Sequence, residues 1–148
     1  MAFIQPCFIR KNTIELRKKL EELGYKFSGA DHIELDCIVT FPHHDAFSVF
    51  AAYHFNIYDD SFKIVWKEYI DCGTNEKLFL ALAALRDDTN ENQWFIAQRT
   101  MWDENYNGEI TVYYEENEWL MWKYYSLMEE MPSDFRKATV EEIIEHFK

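Results

Sequence analysis

Apolar and polar residues alternate along two long stretches of the chain, and a two-residue period is typical of β-strands. The first stretch alternates over 47–57 and again over 62–66, so it predicts a β-hairpin, although helical spacing also fits part of 46–55. The second runs from 94 to 125 around Asn107-Gly108 and predicts an antiparallel meander with a two-residue turn, in which both turn residues need positive φ. Further strands are expected near 3–9 and 33–41.

A second pattern occurs three times and predicts three short amphipathic helices. In each copy an apolar residue precedes a helix N-cap candidate by four positions, and apolar residues follow the cap at four and eight positions, on one helical face. Glu15 and Glu142 stand where a capping box requires them in the first and third copies. The copies are Phe8, Asn12, Leu16 and Leu20; Ile70, Thr74, Leu78 and Leu82; and Phe135, Thr139, Ile143 and Phe147. A true internal repeat and a common way of starting helices both explain this pattern.

The predicted helices differ in their ends and surroundings. The first should end at Gly24, a suitable left-handed C-cap. The second, over about 75–86, carries Ala81, Ala83 and Ala84 beside its leucines, which favours close packing against a sheet. The third runs to residue 148 and needs a groove for its apolar face, so we expect this segment to be docked.

Strands and helices intermix without the regular alternation that builds a parallel sheet, which indicates the α+β class. We predict an antiparallel sheet of about six to eight strands packed with three short helices, with the first two helices on one face. The length of 148 residues, without a Pro, Gly or Ser-rich divide, predicts a single domain over 1–148.

Composition indicates that the chain can form its own core, and net charge narrows the classes of molecule that it can bind. Apolar residues make up 48% and aromatic residues 18% of the chain, enough to form a core without a disulfide or metal. The 15 Lys and Arg against 27 Asp and Glu give a net charge of −12, which repels phosphate backbones and anionic lipids. We therefore expect no direct nucleic-acid binding, although an acidic balance also serves solubility.

Cysteine usage points to a reducing compartment. Cys7, Cys37 and Cys72 are odd in number and widely spaced, with no CxxC, so free thiols and a cytoplasmic location are expected. The first residues lack a basic leader with an apolar run, and no segment approaches the ~20 apolar residues of a membrane span. Neither secretion nor membrane insertion is expected.

His43-His44-Asp45, with Cys37 before it and His54 after it, is the densest group of potential metal ligands. A polar loop is the alternative, and it is favoured because adjacent histidines on a strand point to opposite faces. No metal site is predicted.

Cys72-Gly73-Thr74-Asn75 precedes the second helix, where the helix dipole lowers a thiol pKa and activates a nucleophile. No histidine lies near it in sequence, so a packing role for Cys72 is favoured. Asp87-Asp88, followed by Thr89 and Asn90, is expected to form a solvated turn. No residue is assigned a catalytic or cofactor-binding role, and no cofactor is expected.

The stretch 94–125 is rich in aromatic and acidic residues. On strands, neighbours such as Tyr113 and Tyr114 face opposite sides, so one aromatic face forms core and the other is covered by the third helix or exposed for binding. Its carboxylates serve solubility or present a negative strip to a basic partner. Four of the five tryptophans lie here, namely Trp94, Trp102, Trp119 and Trp122.

Segments covering about a third of the chain resemble small uncharacterised proteins of Bacteroides-type gut bacteria and of their phages or mobile elements. The resemblance implies a bacterial or phage cytoplasm and an accessory role, and it implies no activity, cofactor or catalytic residue. The segments are Cys7-Phe-Ile-Arg-Lys-Asn-Thr13, the stretch from Cys72 to Thr89, Gln93-Trp-Phe95 and the stretch from Lys137 to Phe147.

Taken together, these patterns favour a non-enzymatic accessory protein that binds a protein partner or forms a homo-oligomer. One alternative is a small enzyme or ligand-binding domain with a pocket between the sheet and the first two helices, using Cys72 or His43. Another is an acidic inhibitor that mimics nucleic acid, which requires carboxylates at phosphate-like spacing along one face.

Overall fold

The computed structural model describes residues 3–28, 37–50, 68–123 and 134–148, which contain ten strands and three helices. The α+β class predicted from the sequence is confirmed, with more strands than the six to eight expected. The strands are β1 Cys7–Ile9, β2 Lys26–Phe27, β3 Cys37–Phe41, β4 Ala46–Phe50, β5 Ile70–Asp71, β6 Trp94–Ala97, β7 Met101–Glu104, β8 Ile110–Tyr114, β9 Trp119–Met121 and β10 Phe135–Lys137. The helices are α1 Ile14–Leu23, α2 Glu76–Ala83 and α3 Val140–Phe147.

The larger sheet has the order β2-β4-β3-β1-β5 and is mixed rather than antiparallel. Its centre, β4-β3-β1, is antiparallel, whereas β2 pairs with β4 and β5 pairs with β1 in parallel. The parallel β1 and β5 pair has a simple origin, because β1 leads into α1, β5 leads into α2, and these two helices pack against each other. Two strands that lead into neighbouring helices in the same way run in the same direction.

The predicted meander is correct in its strands and wrong in its pairing. β6 pairs with β9 and β10 in a three-stranded antiparallel sheet, while β7 and β8 pair only with each other. The β7–β8 hairpin is thus inserted between β6 and β9, two strands that pair with each other. Its turn is also different from the prediction: Gly108 N donates to Asn105 O at 3.0 Å, and only Gly108 of the Asn-Gly pair has positive φ.

The core lies between the larger sheet and the helices. Leu16 and Leu20 of α1 and Phe79 and Leu82 of α2 are fully buried against the sheet, and Ile143 of α3 joins them. The sheet contributes alternate positions from its three central strands, namely Cys7, Ile9, Ile38, Phe47 and Val49. Both predicted features of α2 and α3, close packing and a docked third helix, are confirmed.

The three extended lead-in residues are confirmed, but two of the three N-caps lie one residue later than predicted. Thr13 caps α1 and Asn75 caps α2, in place of Asn12 and Thr74. Each cap accepts a hydrogen bond from the backbone N–H three residues later, and in both helices that residue is a buried leucine. The first predicted capping box is therefore absent.

The third cap matches its prediction. Thr139 accepts from Glu142 N at 3.2 Å, and the Glu142 carboxylate accepts from Thr139 N at 3.1 Å. Arg136 donates to the same carboxylate at 2.7 and 2.8 Å, and these bonds lower the pKa of Glu142 to about 2. Gly24 ends α1 with φ 118°, also as predicted.

The predicted hairpin over 47–66 is confirmed only in its first part, where β4 pairs with β3. Residues 51–66 lie outside the described residues.

Candidate functional site

The structure places the candidate nucleophile in the core. Cys72 is 4% exposed, its N–H donates to Phe8 O, and its thiol donates to Ile70 O at 3.8 Å. A hydrogen bond with Cys7 and burial raise the pKa of Cys72 well above its ordinary value. The thiol is therefore held protonated, and the packing role favoured from the sequence is supported.

The histidine pair forms the polar loop favoured from the sequence. Pro42–His44 make one 3₁₀ turn between β3 and β4, with Asp45 in the left-handed region at φ 49°. Both histidines are exposed, whereas Cys37 is 1% exposed within β3. His54 lies outside the described residues. Across the described ranges, no three His, Cys, Asp or Glu side chains converge as metal ligands.

The turn after α2 is only partly solvated. Asp87 and Asp88 are exposed, and the Arg86 guanidinium donates two hydrogen bonds to the Asp88 carboxylate, at 2.8 and 2.9 Å. The expectation of a solvated turn is wrong for Thr89 and Asn90, which are buried. This segment thus passes under the surface.

The aromatic stretch divides into a covered part and an exposed part. In the covered part, the ring centroid of Trp94 lies 5.3 Å from that of Phe147 and 6.2 Å from that of Trp119. Phe147 belongs to α3, so α3 covers this face. In the exposed part, Trp102 of β7 is 56% exposed and Tyr106 at the hairpin turn is 98% exposed. The face around Trp94 is therefore covered by the third helix, as one alternative predicted, and the part around Trp102 and Tyr106 is exposed.

The exposed part forms a projecting ribbon that we call the β7–β8 arm, residues 101–118. Its strands register Trp102 opposite Val112 and Glu104 opposite Ile110, and alternation places these four side chains on one face. The turn is ordered by Asn105, whose side-chain oxygen accepts from Asn107 N and Glu109 N at 2.9 and 3.0 Å. Residues 101–118 contain six carboxylates and no Lys, Arg or His.

A cavity of about 510 Å³ lies between α1, α2, the end of α3 and the β6–β9 edge, and we call it the α1–α2 cleft. α2 and its C-cap contribute one stripe, Lys77, Leu80, Ala81 and Ala84, whose spacing of three and four residues is that of a single helical face. The small alanine side chains leave the space open. The other lining residues are Lys19, Glu22, Leu23, Asn92, Trp94, Met121, Lys123 and Phe147.

The cleft differs from the pocket considered in the sequence. None of the candidate residues Cys7, His43, His44 and Cys72 lines it, and its walls come from α1, α2, α3 and the β6–β9 edge. The alanine stripe of α2 was the available signal in the sequence, because a helix that is apolar on two faces needs each of those faces to be covered. The lysines gave no signal, because they are far apart in sequence.

Comparison with protein-family models, curated proteins and solved structures finds no significant match to this chain. Within the described ranges, every helix is too short or too polar to cross a membrane.

Proposed function

We propose that this chain acts by binding another protein through the β7–β8 arm. The supporting observation is a concentration of exposed apolar side chains. Among the described residues, seven large apolar side chains are strongly exposed, and five of them lie in this arm: Trp102, Tyr106, Ile110, Val112 and Tyr113. Single exposed apolar residues are common, but a contiguous group bordered by polar residues marks an interaction surface.

The arm presents these residues in a form suited to recognition. Trp102, Ile110 and Val112 share one face of the ribbon, with Tyr106 at its tip. Tryptophan and tyrosine dominate binding energy at protein interfaces, and covering each large apolar side chain contributes about 2 kcal/mol. The ordered Asn105 turn holds the ribbon in one shape, which lowers the entropy lost on binding.

The ribbon is also incomplete as a sheet. β7 and β8 pair only with each other among the described strands, and a two-stranded ribbon is marginally stable in water. Its outer edges expose backbone donors and acceptors that a partner strand can pair with.

The charge of the arm supports a basic partner. The arm carries six carboxylates, with Glu104 on the apolar face itself, and no Lys, Arg or His to balance them. A second copy of the arm would bring six more negative charges against them, so a homodimer through this surface is disfavoured. A protein with an apolar groove bordered by Lys and Arg fits this surface.

Site-specific photo-crosslinking in the source cells tests the proposal. A photoreactive phenylalanine at Tyr106 should crosslink to a defined protein, and one at Ile14, which is 57% exposed on α1, should not. Trp102→Ser should abolish the crosslink, because a central tryptophan is worth about 2 kcal/mol or more at an interface. Equal crosslinking from both positions, or a crosslink only to a second copy, would contradict the proposal.

A competition experiment on the captured protein distinguishes nucleic-acid mimicry from binding to another basic surface. If double-stranded DNA competes with the arm for that protein, the arm occupies a nucleic-acid site, as the mimicry hypothesis requires. If only salt and Trp102→Ser release it, the arm binds a different basic surface.

A further inference from the structure

The α1–α2 cleft has the size and chemistry of a small-molecule site. Its volume of about 510 Å³ lies within the usual range of ligand pockets, and Leu80, Ala81, Trp94 and Phe147 give it apolar walls. It is separate from the β7–β8 arm, since none of residues 101–118 lines it.

The charge around the cleft is opposite to that of the chain. Lys19, Lys77 and Lys123 line it from α1, α2 and the residues after β9, against a single carboxylate, Glu22. The chain as a whole carries a net charge of −12. None of these three lysine side chains forms a hydrogen bond or ion pair within the described residues, whereas the side chains of Lys11, Lys137 and Lys148 each bind an oxygen there. Three exposed lysines without carboxylate partners among the described residues give the rim of this apolar cavity a local positive charge.

From these observations we propose that the α1–α2 cleft binds a small organic anion with an apolar, aromatic or branched body and one carboxylate or sulfonate group. The body lies against α2 and Trp94, and the anionic group lies at the rim near Lys19 and Lys77. The lysine ammonium groups need not leave water to reach it, so they add selectivity for the anion, while burial of the body supplies most of the affinity.

Two dyes with one ring system test the proposal. Anilinonaphthalene sulfonate carries a sulfonate, and phenylnaphthylamine has the same rings without it. The sulfonate dye should bind one molecule per chain and show increased fluorescence, and the neutral dye should bind more weakly. Lys19→Gln/Lys77→Gln should weaken the sulfonate dye about tenfold, from two partly exposed ion pairs, and leave the neutral dye unchanged.

Three control variants complete the experiment. Lys18→Gln removes an exposed charge of α1 outside the lining and should change neither dye. Ala81→Leu narrows the cavity and should weaken both dyes, while urea unfolding checks that the variant folds. Trp102→Ser should leave both dyes unchanged, because the arm is not the site. Equal effects of Lys18→Gln and Lys19→Gln/Lys77→Gln, or loss of dye binding in Trp102→Ser, would overturn the proposal.

Discussion

Cys72 lies three residues before the N-cap of α2, and its neighbourhood in sequence is that of a reactive thiol. Its neighbourhood in space is different. Cys72 is buried and forms a hydrogen bond with Cys7 of β1, and the Cys7 thiol also contacts the Thr40 hydroxyl and the backbone carbonyl of Phe79 in α2. Cys7 brings no positive charge to Cys72, so this hydrogen bond and burial favour the neutral thiol.

We predict that the folded protein is inert toward thiol reagents. With dithionitrobenzoate at pH 8, its cysteines should react at least about 100-fold more slowly than in urea, because all three are buried and Cys72 is kept protonated. An exposed thiol reacts faster as pH rises through its ordinary pKa of about 8.5, and the folded protein should show no such rise between pH 7 and 9. One thiol that reacts rapidly in the folded protein, and is lost in Cys72→Ala, would restore the nucleophile hypothesis.

The outcome at the candidate residues shows what sequence alone decides. Residue type and spacing correctly favoured a loop at His43-His44 and a packing role for Cys72. They did not predict that Thr89 and Asn90 are buried, because a run of Asp, Thr and Asn has the composition of an exposed turn. Burial depends on the path of the chain over the core, which local composition does not specify.

At the scale of elements, helix N-caps were predicted to within one residue. Both Thr74 and Asn75 are good capping residues, and the apolar spacing of α2 accommodates either. The structure selects Asn75, because this places Leu78 in the first turn facing the core. The hydrophobic pattern thus fixes the buried face of a helix more firmly than its first residue.

The choice of cap gives a direct prediction. Asn75 accepts from Leu78 N at 3.1 Å, and its amide donates to Phe147 O, so it caps α2 and ties it to α3. Asn75→Ala should lower the free energy of unfolding by about 1 to 2 kcal/mol. The matched variant Thr74→Ala, at an exposed neighbour, should change it by less than about 0.5 kcal/mol. Urea unfolding of both variants measures this difference, and a larger loss for Thr74→Ala would show that the cap is misassigned.

At the scale of the whole molecule, the sequence predicted most strands but not their partners. Alternation identifies β6, β7, β8 and β9 separately, yet nothing local states that β6 skips two strands to pair with β9. The α1–α2 cleft was out of reach for the same reason, because its walls come from segments between residues 19 and 147 that only the fold brings together. Pairing and cavities are properties of tertiary structure, whereas alternation and capping are properties of neighbours.

The direct pairing of β6 with β9 makes the arm separable from the rest of the molecule. Ala97 exchanges backbone hydrogen bonds with residues 117 and 118, so the sheet closes at the base of the arm without β7 or β8. Met101 and Tyr114 are the register pair of the arm next to that base, and the ring centroids of Tyr114 and Phe135 lie 5.3 Å apart. Replacing residues 102–113 with Asn-Gly, a turn that suits a two-residue hairpin, keeps this last pair and removes the exposed face.

We predict that the shortened protein folds with a free energy of unfolding within about 1 kcal/mol of the full chain, because the side chains removed are largely exposed and contribute little to the core. It should keep dye binding in the α1–α2 cleft and lose the crosslinked partner. Urea unfolding with the two binding assays on the same preparation measures all three. A loss of several kcal/mol would mean that the arm is part of the folding unit, and its exposed aromatic face would then need a structural explanation rather than a partner.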